Sequence, residues 1–114
     1  MRSSVSVPYS ETKVLWNDVL FTGSNATQVQ TISTHLFRTA NVFYSLDGFP
    51  AGNTTPVVLK IYAQIAGKKF LLKDLSSANP VSDVVILDKL GDVLVVELQP
   101  AVNVTVFLAF KFFA

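Results

Sequence analysis

Two stretches of this sequence alternate with a period of two, and that pattern limits the fold more than any other feature. Across Val57-Val58-Leu59-Lys60-Ile61-Tyr62-Ala63-Gln64-Ile65, residues Val57, Leu59, Ile61, Ala63 and Ile65 fall on one side, and Lys60, Tyr62 and Gln64 on the other. From Val102 to Phe113 the run is longer. Val102, Val104, Val106, Leu108, Phe110 and Phe112 share one side, and Asn103, Thr105, Phe107, Ala109, Lys111 and Phe113 the other. Successive side chains of a strand point to opposite faces, whereas a helix repeats every ~3.6 residues, so both stretches read as strands. A buried face set against a more polar one is the mark of antiparallel sheet.

Further strands follow from shorter patterns. Ser3 to Val7 stops at Pro8. Lys13 to Phe21 places Val14, Trp16 and Leu20 on one side and Leu15, Val19 and Phe21 on the other. Ala26 to Ser33 is rich in Thr, Gln and Val. Asn41 to Leu46 turns Val42, Tyr44 and Leu46 inward and Phe43 outward. Phe70 to Lys73, Asp83 to Leu87 and Asp92 to Gln99 complete the set, the last with Leu94, Val96 and Leu98 in register. Turn residues separate them at Gly23-Ser24-Asn25, Asp47-Gly48, Pro50-Ala51-Gly52-Asn53, Asn79-Pro80 and Gln99-Pro100. Ile65 to Phe70 reads as a tight hairpin and Asp88 to Asp92 as a second. Thr31 to Arg38 is β-branched and short, enough for one helical turn. Eight or nine short strands without helices predict an all-β protein, an antiparallel β-sandwich or small barrel with the sandwich preferred, as one domain over residues 1–114. The Ser-rich start within residues 1–10 is expected to be an arm that orders on a neighbour.

Half of the 114 residues are apolar and 15% are charged, which raises the question of a membrane. A spanning helix needs about 20 mostly apolar residues. The uncharged run between Glu97 and Lys111 is broken by Gln99, Pro100, Asn103 and Thr105, and the run from Val19 to Phe37 is full of Thr, Ser, Asn and Gln. The first residues lack the apolar stretch of a signal peptide. An outer-membrane barrel would need strands of about 9–11 residues throughout, and most here are shorter. No membrane span is therefore expected. The net charge of +1 provides no electrostatic footprint for nucleic acid. With no cysteine, disulfides, thiol chemistry and cysteine-ligated metals are excluded.

The catalytic inventory is short. His35 is the only histidine, and the sequence contains no Gly-x-Ser-x-Gly elbow to set a nucleophile beside it. One histidine and no cysteine fall short of a zinc site. Asp74, Asp83, Asp88 and Asp92 lie near turns, but no Asp-x-Asp-x-Asp-Gly loop organises them for calcium, and Asp is an ordinary turn residue. Asn25-Ala26-Thr27, Asn53-Thr54-Thr55 and Asn103-Val104-Thr105 match the glycosylation triplet at the rate that a Ser/Thr-rich chain produces by composition. No cofactor is implied, and the expected class is not an enzyme.

The apolar excess points instead to contacts. Phe43, Tyr62, Phe107 and Phe113 fall on faces that their own strands mark as outer, and clustered exposed apolar rings mark interaction surfaces. These four are the candidate interface of a homo-oligomer, since symmetric self-association covers such a face with one set of residues. The alternative is a carbohydrate- or small-ligand-binding module with Trp16 and Tyr62 as stacking platform. Asn41-Val42-Phe43-Tyr44-Ser45-Leu46-Asp47-Gly48, then Val57 to Ile65, then Gly67-Lys68-Lys69-Phe70 resembles the small β-sandwich accessory proteins of tailed-phage and related virus particles. The shared order is strand, turn, long alternating strand, short Gly turn, aromatic strand. The resemblance implies a jelly-roll-like subunit, a trimer or other small ring, located in the virion and bound to other virion proteins of a capsid, tail or spike.

Overall fold

A computed structural model of the chain describes residues 9–114. They form eight strands: β1 (Ser10–Phe21), β2 (Gln28–Ser33), β3 (Thr39–Asp47), β4 (Val58–Ile65), β5 (Lys68–Asp74), β6 (Val81–Leu87), β7 (Val93–Gln99) and β8 (Val104–Phe113). There is no helix among the described residues. The strands make two antiparallel four-stranded sheets, β1-β8-β3-β6 and β2-β7-β4-β5. β1 pairs with β8, β2 with β7, β3 with β6 and β4 with β5. Successive pairs fall alternately in the two sheets, so the chain is one long hairpin rolled about itself, with its tip between β4 and β5. That is the jelly roll, an eight-stranded sandwich.

Alternation explains which residues meet between the sheets. β3 buries Ala40, Val42, Tyr44 and Leu46, β4 buries Leu59, Ile61 and Ala63, and β7 buries Leu94, Val96 and Leu98. β8 contributes Val104, Val106, Leu108, Phe110 and Phe112. The Phe110 and Phe112 rings stack with centroids 5.5 Å apart, and Phe37 stacks on Phe112 at 5.0 Å. Removing each such ring from water is worth about 1.5–3 kcal/mol.

Three features depart from the sequence expectation. β1 does not keep one phase: its pairing with β8 shifts between Val14 and Trp16 and again between Trp16 and Val19, and Asp18 takes a left-handed φ of 51°. Bulges insert residues without advancing the register. Trp16 and Phe21, expected on opposite sides, therefore both point inward, and their rings meet edge to face at 5.7 Å. The second departure is at Asp88 to Asp92, which is not a hairpin. β6 and β7 lie in different sheets, and the segment crosses between them with Leu90 buried beneath it. Among the described residues only Ile65-Ala66-Gly67-Lys68 closes a hairpin within one sheet. Ala66 and Gly67 both have positive φ, 52° and 78°, the requirement of a type I′ turn.

The third departure concerns residues 31–38 and the N-terminus. Thr31 to Ser33 belong to β2, and the following turn is closed by Phe37 N–H donating to Thr34 O at 2.9 Å, with no helical run. The strand expected at Ser3 to Val7 lies outside the described residues, as does most of the expected arm. At its end that expectation is corrected: Ser10 already pairs with Phe113, Tyr9 O accepts from Ala114 N–H at 3.0 Å, and the Tyr9 ring stacks on Phe37 of the same chain.

Candidate functional site

The outward residues of β3 and β8 are the odd-numbered ones, because their even-numbered neighbours are buried in the core. The register sets Phe43 beside Ala109 and Ser45 beside Phe107. Val14 of β1 lies on the far side of Ala109, and Val84 of β6 lies on the far side of Phe43. An apolar row, Val14–Ala109–Phe43–Val84, thus crosses all four strands of the β1-β8-β3-β6 sheet. Val14 and Val84 are 50% exposed, Phe43 is 38% exposed, and Ile86, the next outward residue of β6, is 66% exposed. Phe43, Phe107 and Val84 rim a shallow concavity of about 330 Å³ whose lining includes Ser45 and Ser82. Along β3 and β8 the outward charges stand only at the two ends: Lys111 at one, Asp47 at the other.

The outer face of the other sheet is different. Tyr62 sits between Val95 and Leu71, but the row beside it is Glu97, Lys60 and Asp74, and Lys69 stands on its other side. Lys69 Nζ donates to Glu97 Oε2 at 2.6 Å and lies 4.8 Å from the Tyr62 ring centroid. The bond to Glu97 holds the Lys69 ammonium above the usual lysine range. The chain's own cation occupies the ring face that a sugar or a second subunit would approach.

The four candidate interface residues therefore separate. Phe43 and Phe107 share one concavity. Phe113 is on the same face but at its end, beyond Lys111, whose ammonium is 5.7 Å from the Phe113 ring. Tyr62 belongs to the opposite side of the sandwich, because β4 pairs with β5 and β7 only. The alternative pair is not brought together either. Trp16 is 7% exposed and packed in the core, and Tyr62 is on the far outer face, so they form no common platform. Sequence reasoning missed Val84 and Ile86, because Val84-Val85-Ile86-Leu87 is a continuous apolar run that carries no phase of its own. Its charged neighbour, Asp83, marks the wrong phase: Asp83 pairs with the inward Tyr44 across the sheet, so Val84 and not Asp83 points out. Burial, then the Asp83 carboxylate, lifts the Tyr44 hydroxyl above its ordinary range.

The polar groups singled out by type serve local structure. Ser33 Oγ lies 2.8 Å from His35 Nδ1 on an exposed turn, and among the described residues no carboxylate bonds that imidazole. No three His, Cys, Asp or Glu side chains converge among the described residues. Asn25 accepts from Thr22 N–H at 2.7 Å and Asn103 from Gly23 N–H at 3.3 Å. Asn53 Nδ2 donates to Thr55 O and Ala78 O, tying the β3–β4 loop to the β5–β6 loop. No protein-family model matches this chain, and no curated protein matches its sequence.

Proposed function

We propose that the chain is a non-enzymatic assembly protein, a jelly-roll subunit that holds to copies of itself and to other virion proteins as a decoration, minor capsid or tail component. The observation that carries this reading is the apolar row across the β1-β8-β3-β6 sheet. An outer face of an isolated sandwich is ordinarily the polar partner of its alternation; the other sheet carries charged residues beside its outward Tyr62 and Leu71, whereas the middle of β3 and β8 carries none. Covering apolar area is worth about 25 cal/mol per Å², so a face of this kind favours a bound state over a free one. The rolled-hairpin topology supports the same reading, since the jelly roll is a common architecture of capsid proteins, although lectins and cupins share it. The test is recovery with particles: virions purified on a density gradient from the source of the sequence should contain the chain in fixed ratio to the major capsid protein. A chain found only in the unassembled fractions would contradict the proposal.

A further inference from the structure

Resting on that reading, we infer that the outer face of the β1-β8-β3-β6 sheet is self-complementary and joins two copies of this chain about a two-fold axis. The decisive feature is the arrangement of sizes at its centre. Phe43 neighbours Ala109 across one row, and Phe107 neighbours Ser45 across the next, so large and small residues form a two-by-two checkerboard. A two-fold axis in the plane of the face, running across the strands between these rows, lays each row on the other row of the second copy. Phe43 then stands over the second copy's Ser45, in the concavity it shares with Ser82, and Phe107 stands over the second copy's Ala109. Each ring meets a small side chain, and the same contacts occur twice, as an isologous interface requires.

Charge agrees with size. The same operation carries the Lys111 row onto the row of Thr105 and Asp47, so that across the gap of about 10 Å between facing sheets Lys111 is offset sideways by one strand spacing from the second copy's Asp47, within reach of its long side chain. The pair occurs at both ends of the contact, while the middle holds no charge on β3 or β8. The alternative axis, along the strands, would set Lys111 near Lys111 and Asp47 near Asp47, where like charges repel. The area bounds the size class of the contact. Four strands about 4.8 Å apart and five outward rows about 6.8 Å apart give roughly 500 Å² of projected face per copy. That is below the ~800 Å² per partner of a standard-size interface, which calls for a concentration-dependent dimer.

The test is light scattering with size exclusion over about 10–200 µM, a range chosen for such an interface. Wild type is expected to approach twice 12.4 kDa. Ser45→Phe fills the small square and should weaken the dimer at least about tenfold, whereas the double variant F43S/S45F exchanges large for small within β3 and should restore it. Both positions face outward, and circular dichroism melts check folding. A second pair is independent of packing: Lys111→Glu should weaken the dimer and K111E/D47K should recover it. A dimer indifferent to Ser45→Phe and Lys111→Glu, a failure of both double variants to restore it, or a trimer or higher ring in wild type would overturn the two-fold arrangement and leave the assembly reading standing. A monomer at the highest concentration would overturn the two-fold arrangement together with self-association, while recovery of the chain in particles would still be decided separately.

Discussion

The two sheets share an inner pattern and differ in what they turn outward. On β3 and β8 the outward middle is Phe43, Ser45, Phe107 and Ala109, with no charge until Lys111 and Asp47 at the ends. On β4, β5 and β7 the outward residues include Lys60 between Glu97 and Asp74, and Lys69 bonded to Glu97 over the Tyr62 ring. Opposite charges on adjacent strands satisfy one another and stay hydrated on that face, which also turns Val29 and Leu71 outward. The apolar face has no such internal solution. Inner alternation specifies the sandwich, and the proposed contact rests on the outward residues alone.

The largest expected effect separates the inner from the outer aromatics of the apolar sheet. Phe110→Ala should cost about 3–5 kcal/mol of folding stability in a denaturant melt, because the ring is fully buried in the core. Phe43→Ala, measured on dilute monomer, should stay within about 1 kcal/mol of wild type. Equal losses would make Phe43 a core residue and remove the contrast between the faces. A smaller effect concerns the hairpin of the charged sheet. Ala66 holds a left-handed φ that an L residue with a Cβ disfavours, so Ala66→Asn should gain about 1 kcal/mol and leave self-association unchanged. A change in association would place the β4–β5 tip in the contact.

The smallest effect is a titration at the same sheet's margin. The Ser76 hydroxyl donates to Asp74 Oδ1, and this bond holds the carboxyl below the usual aspartate range. A carboxyl depressed in the folded state contributes stability that is present above its unfolded value, near pH ~3.9, and lost as pH falls through the folded one. Ser76→Ala should move the Asp74 titration, followed by NMR, to higher pH and shift the acid-unfolding midpoint in the same direction. An unmoved titration would show that Ser76 does not hold the carboxylate.

The sandwich was legible from alternation wherever a strand keeps one phase, as β3, β4, β7 and β8 do. It was not legible in β1, where two register shifts and Asp18 bring Trp16 and Phe21 to the same side. Nor was it legible at Asp88 to Asp92, where turn residues look alike in a hairpin and in a crossover between sheets. For the site, the outward setting of Phe43 and Phe107 followed from their own strands. The separation of Tyr62 from them did not, because the sheet a strand joins depends on pairings distant in sequence, β4 with β7 and β3 with β8. The resemblance to virion proteins spoke to a role and held nothing about which face performs it.

The contrast between the faces is tested most directly by one paired measurement of mass in solution. Phe43→Ser and Tyr62→Ser each remove an outward ring from the middle of a sheet, one from each side of the sandwich. Measured by light scattering at a concentration where wild type self-associates, Phe43→Ser should fall toward the mass of one chain and Tyr62→Ser should keep the mass of wild type. Loss of association in Tyr62→Ser with retention in Phe43→Ser would place the contact on the charged face and contradict the assignment.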